Sequence, residues 1–89
     1  MGKQVIQGGA SMLDKRKAAK DLLNDMGRTD FYKTIHEAKL TPRQEGILEL
    51  KFIRDWSYVQ IAFKFCVDVN VIKQDMQKAY DKIYKLFLK

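Results

Sequence analysis

The chain holds 89 residues, of which 46% are hydrophobic, enough for one small domain with a modest core and too apolar for a disordered tail. Its formal charge of +6 at pH 7 favours polyanions, nucleic acid above all, over neutral partners; the bland alternative is a soluble protein that carries many lysines. No apolar run is long enough to cross a membrane and MGKQVIQGGA lacks the apolar segment of a secretory signal, so a cytoplasmic protein without a membrane partner is expected.

Residues 1–10 contain Gly2, Gly8 and Gly9, with Val5 and Ile6 as the adjacent large apolar pair, and read as a flexible arm. The spacing then predicts a helix over 11–26. Ser11 and Asp14 stand at capping-box distance. Leu13, Ala18 or Ala19, Leu22, Leu23 and Met26 supply an apolar stripe, and Gly27 a left-handed stop. A second helix is expected over 30–38, with Phe31, Ile35 and Ala38 facing inward and Tyr32 and His36 on a neighbouring face. The two aromatics at its start suit an anchor onto a C-terminal core.

The third helix has the firmest start. Thr41 is placed as N-cap, Pro42 as the first helical residue and Gln44 as the partner that completes a capping box. Ile47, Leu48, Leu50, Lys51 and Phe52 follow. Gly46 costs this helix about 1 kcal/mol against Ala and suits a close backbone approach. Arg54 and Asp55 end it, and Trp56 bridges onward.

Residues 57–73, SYVQIAFKFCVDVNVIK, read as a short helix, a tight turn and a second helix. Ser57 caps the first helix, and Ile61, Ala62 and Phe65 form its apolar stripe. Cys66 sits at the turn, Val67 plugs it, and Asp68 caps the next helix. That last helix, from about 69 to near the C-terminus, carries Ile72, Met76, Ala79, Ile83 and Leu86 or Phe87 on its core side, flanked by Tyr80 and Tyr84. The opposite side carries Asn70, Lys73, Gln74, Gln77, Lys78, Asp81 and Lys85. The expected fold is therefore all-α: a small domain of about five helices, with a helical pair over 11–39 packed onto a helix-turn-helix unit over 40–89.

The positive charge is spread. Residues 1–39 hold eight Lys/Arg against five Asp/Glu, and residues 40–89 hold nine against six. A lone Cys66 and a lone His36 make no zinc set and no internal disulfide. There is no glycine-rich phosphate loop, nucleophile elbow or paired-carboxylate site. No enzyme activity, metal or cofactor is expected.

Residues 40–83, LTPRQEGILELKFIRDWSYVQIAFKFCVDVNVIKQDMQKAYDKI, resemble region four of bacterial sigma factors, the domain that reads the upstream promoter element. The resemblance runs through Leu40 to Arg43, Leu48 to Phe52, Trp56 to Tyr58 with Ile61-Ala62, and Lys78-Ala79 with Lys82-Ile83. The chain departs from the family pattern at Cys66, where glycine is usual, at Asp68, where Ser or Thr is common, and near Val71, where a basic or hydroxyl residue is common. Residues 1–39 do not resemble the sigma region that binds the melted promoter. The resemblance therefore implies a stand-alone protein of this type, of phage or mobile-element origin, and not a complete sigma factor.

The function this implies is a DNA-binding transcriptional regulator whose recognition helix, about 69–87, enters the major groove of promoter-type sites. Asn70, Gln74 and Gln77 carry amides that pair bidentately with adenine, Val71 reaches a thymine methyl, and Lys73 serves guanine or phosphate. The helix start at Ser57, with the Ser57 and Tyr58 hydroxyls, is a phosphate seat. Arg43, Lys51, Arg54, Lys64 and Lys78 are the remaining expected backbone clamps. One module of this size binds weakly alone, so the expected partners are double-stranded DNA, RNA polymerase or a sigma factor, and a second copy of the chain. The alternative is an interaction module that holds RNA polymerase or a sigma factor without specific DNA binding, using the aromatic end Tyr80, Tyr84, Leu86, Phe87 and Leu88. A phage packaging or replication factor is a third reading.

Overall fold

The computed structural model describes residues 12–88; the arm over 1–10, the Ser11 cap and Lys89 lie outside the described residues. Five α-helices follow in order: α1 (Met12–Asp25), α2 (Arg28–Glu37), α3 (Pro42–Phe52), α4 (Tyr58–Phe65) and α5 (Val69–Phe87). The fold is all-α, with no strand among the described residues.

Local chemistry accounts for most helix starts. Thr41 Oγ1 accepts from Gln44 N at 3.1 Å and Gln44 Oε1 accepts from Thr41 N at 3.1 Å, closing the capping box of α3. Pro42 behind it has no N–H to leave unsatisfied. The stops are less conventional. Lys39, Asp55 and Cys66, which follow α2, α3 and α4, take left-handed backbone with φ of 54°, 60° and 57°. Each places a Cβ where glycine would carry none.

Gly27 is the exception to expectation. It is not a left-handed stop for α1 but the extended N-cap of α2, at φ −72° and ψ 171°. Met26 and Gly27 alone separate the two helices. Gly27 must therefore open α2, and its carbonyl accepts from Phe31 N at 2.9 Å. α2 consequently starts at Arg28, two residues before the expected Asp30.

α5 is the spine. α1, α3 and α4 all pack on it, and Ile72, Met76, Ala79 and Ile83 are buried along its inner side. Ile47 and Leu48 of α3, Ile61 of α4, and Ala19 and Leu23 of α1 complete the core around them. Burying one such aliphatic side chain contributes about 1.5–3 kcal/mol. α2 joins through aromatic rings. Phe31 lies 6.0 Å from Phe52, and Phe52 lies 6.3 Å from Tyr80 in an edge-on pair. Tyr32, the second expected anchor, is exposed, and its hydroxyl donates to Glu49 Oε2 at 2.7 Å. This hydrogen bond, more than burial, raises the Tyr32 phenol above its ordinary value.

Two apolar expectations fail for a geometric reason. Leu13 is 75% exposed, because six helical positions turn it about 120° away from Ala19. Leu86 and Phe87 are 57% and 40% exposed. The inner side of α5 loses its cover beyond Ile83, and the last turn runs on into solvent. At Gly46 the close neighbour is a side-chain ring and not the expected backbone: an added Cβ would stand 3.1 Å from Phe65 Cζ. The missing side chain lets the end of α4 lie against α3.

Candidate nucleic-acid interface

The α4–turn–α5 unit is held by local hydrogen bonds at each joint. Ser57 Oγ accepts from Gln60 N at 3.2 Å, and Gln60 Oε1 accepts from Ser57 N at 2.9 Å. Ser57 is thus the cap of α4 as expected, in a reciprocal box whose Gln60 arm the sequence reading missed. α4 closes in a Schellman motif: Cys66 N donates to Phe63 O at 3.2 Å and Val67 N to Ala62 O at 3.1 Å. Cys66 takes the left-handed position usually given to glycine, and its side chain is exposed. Val67 tucks against the core. Asp68 Oδ1 then accepts from Asn70 N at 2.8 Å and starts α5.

From Asn70 to Lys78 the outer side of α5 is open. Asn70, Lys73, Gln74, Gln77 and Lys78 are all exposed, and Val71 is half-buried at the edge. The side does not stay open to the end of the helix. Asp81, expected on the solvent face, is half-buried beneath α1, where Arg16 Nε and Nη2 donate to its two oxygens at 3.0 and 3.1 Å. The Arg16 guanidinium is raised from its ordinary value, chiefly by that hydrogen bonding. The run of open amides and lysines from Asn70 to Lys78 thus ends where α1 covers Asp81, and it lies in the N-terminal part of α5, the part that contacts bases in helix-turn-helix proteins.

The expected phosphate clamps fall into separate groups. Lys51 from α3 and Lys73 from α5 both approach the Tyr58 ring, at 4.6 and 5.9 Å from its centre. Each such contact contributes about 0.5–1 kcal/mol at an exposed site. Ser57, Tyr58, Lys51 and Lys73 therefore sit together where α4 begins. Arg54 and Lys64 line a different groove, with Gly46, Glu49 and Trp56. Arg43 is engaged: its Nε donates to Asp75 Oδ2. Asp75 is one of the buried polar residues of the domain, so Arg43 has a structural task that the sequence reading did not foresee. Lys78 is exposed on the far edge of α5.

One basic surface has no counterpart in the sequence reading. Arg16, Lys17 and Lys20 of α1 line a groove of about 420 Å³ with Tyr58, Lys73, Gln77 and Tyr80. The KRKAAK string over 15–20 shows the charge, but no local pattern says that its lysines border α5. Tyr80 Oη is buried without a hydrogen-bond partner, an omission that costs about 1–3 kcal/mol. Burial, and then the adjacent Tyr58 phenol, pushes the Tyr80 phenol well above its ordinary value.

Among the described residues no group of His, Cys, Asp and Glu could hold a metal ion, and no helix is long and apolar enough to cross a membrane. No protein-family model, curated protein or solved structure matches the chain.

Proposed function

We propose that this chain is a cytoplasmic DNA-binding transcriptional regulator that lays the N-terminal half of α5 in the major groove of promoter-type sites. The observation that carries the reading is the exposed run Asn70, Lys73, Gln74, Gln77 and Lys78 on a helix whose entry angle is set by the capped turn at Cys66 and Asp68. The amides suit adenine edges, at about 1–3 kcal/mol of discrimination per good bidentate pair. The group formed by Ser57, Tyr58, Lys51 and Lys73 suits the adjoining phosphates. The resemblance of residues 40–83 to sigma region four supports promoter DNA as the class of site, action together with RNA polymerase, and a phage or mobile-element setting.

Fluorescence anisotropy against a panel of duplexes at two salt concentrations tests the reading. Binding should weaken steeply with salt. Gln74→Ala and Gln77→Ala should change the preference between sequences, whereas Lys64→Ala should lower all affinities alike. Salt-insensitive binding, or none to any duplex, defeats the proposal.

The alternative, an interaction module for RNA polymerase or a sigma factor, has one observation in its favour. Val59 and Phe63 are 70% and 87% exposed on the outer side of α4 and line an apolar groove with Trp56. Co-migration with polymerase or a sigma factor in size-exclusion chromatography, without affinity for duplex DNA, would establish that alternative. The exposed end Leu86, Phe87 and Leu88 is the corresponding candidate for a homodimer contact.

A further inference from the structure

We propose that the groove between α1 and α5 is a second phosphate seat, which takes a backbone phosphate of the same duplex that α5 reads. The inference rests on the DNA-binding reading above and extends the footprint to α1, a helix outside the resemblance to sigma region four. Three observations carry it. First, four cations line the groove, Arg16, Lys17, Lys20 and Lys73, and no carboxylate lines it. Arg16 is held in place by Asp81. Lys17 faces Asp21 across a solvent-exposed gap of 3.9 Å, a pairing that water and salt screen heavily. Lys20 and Lys73 have no carboxylate partner among the described residues.

Second, Lys73 and Gln77 belong to the groove and to the open side of α5 at once. A duplex seated on α5 therefore brings its backbone to the mouth of the groove without any rearrangement of the helices. Third, the groove contains an unmet donor. Tyr80 is 6% exposed, lines the groove beside Tyr58, and its hydroxyl makes no well-formed hydrogen bond, the Tyr58 phenol being a neighbouring oxygen. Burial keeps that phenol protonated, so it offers a proton and calls for an oxygen acceptor. A phosphate oxygen drawn in by the lysines supplies one once a small turn of the Tyr80 ring uncovers its hydroxyl, directly or through a water.

The test uses the full chain and the duplex it binds best. Wild type, Lys17→Ala/Lys20→Ala, Lys20→Glu, Tyr80→Phe and the distant control Lys33→Ala are titrated by anisotropy at about 50 and about 200 mM salt. Each phosphate contact changes affinity about 3.5-fold over that range, so losing two makes the salt-induced drop about twelvefold smaller. The expected result is that flattened salt dependence for the double lysine variant, weaker binding for Lys20→Glu and Tyr80→Phe, unchanged sequence preference in all three, and wild-type behaviour for Lys33→Ala. A wild-type salt slope in the double variant, with Gln74→Ala still shifting the preference, overturns the groove and leaves the DNA reading standing. Failure of the wild-type protein to bind any duplex at the lower salt overturns both. The lysines are surface residues, and circular dichroism confirms that each variant is folded before titration.

Discussion

Replacing Cys66 by glycine should stabilise this protein. Cys66 stands at φ 57° and ψ 43°, a conformation that costs an ordinary L-residue about 1–2 kcal/mol. Glycine removes that penalty but brings a more flexible unfolded chain, a loss of about 0.5–1 kcal/mol. The Cys66 side chain is exposed, so little packing is lost with it. The balance favours the variant by about 0.5–1 kcal/mol, which in a domain of this size raises Tm by about 2–8 °C. Urea denaturation followed by far-UV circular dichroism should show a higher midpoint at an unchanged slope. Lys39→Gly should act in the same direction, and Asp55→Gly more weakly, because Asp tolerates left-handed backbone better than Lys or Cys. Cys66→Ile should do the opposite, since a β-branched side chain fits that region worst. A lower midpoint for Cys66→Gly, or a higher one for Cys66→Ile, would refute the assignment of strain to this turn.

Three further outcomes follow from the packing. Arg43→Met leaves the buried Asp75 carboxylate without its cation and should cost about 1–3 kcal/mol, most of it recovered in Arg43→Met/Asp75→Leu; if the single variant instead keeps its stability and lowers the salt slope for DNA by about one, Arg43 is a phosphate clamp after all. Ile72→Ala should cost about 2–5 kcal/mol by opening a cavity under α5, whereas Leu86→Ala, on the exposed last turn, should change stability by no more than about 0.5 kcal/mol. Tyr80→Phe should be neutral or stabilising near pH 7 and should separate from wild type in alkali. The folded-state phenol is raised above the ordinary 10.0, so its contribution is complete below that pH and is lost as pH rises beyond it. Thermal melts from about pH 8 to about pH 11.5 should show wild type declining more steeply than the variant above about pH 10.

The two readings of function place their weight on different sides of the unit. The DNA reading uses the outer side of α5 and the start of α4, where Ser57, Tyr58, Lys51 and Lys73 gather. The interaction reading uses the outer side of α4, where Val59 and Phe63 stand in solvent. Substitutions at Gln74 and at Phe63 therefore test them independently.

What was legible in the amino acids was local. The caps at Thr41, Ser57 and Asp68 close hydrogen bonds to residues two or three positions away, so the side-chain chemistry needed to see them lies within one turn of helix. The inward series Ile72, Met76, Ala79 and Ile83 is legible for the same reason, because helical periodicity alone puts those residues on one side. Gly27 misleads because glycine suits both a stop and an N-cap, and the short α1–α2 connection selects the second. The rest depended on how the helices are rotated against one another. Arg16 meets Asp81 across 65 positions and Arg43 meets Asp75 across 32. The first pair draws Asp81 partly under α1, and the second ties the still exposed Arg43 to a buried carboxylate. The lysines of α1 come to border α5 in the same way. Such juxtapositions follow from which apolar stripe each helix buries and against what, a choice made by the whole core at once and written in no single segment of the chain.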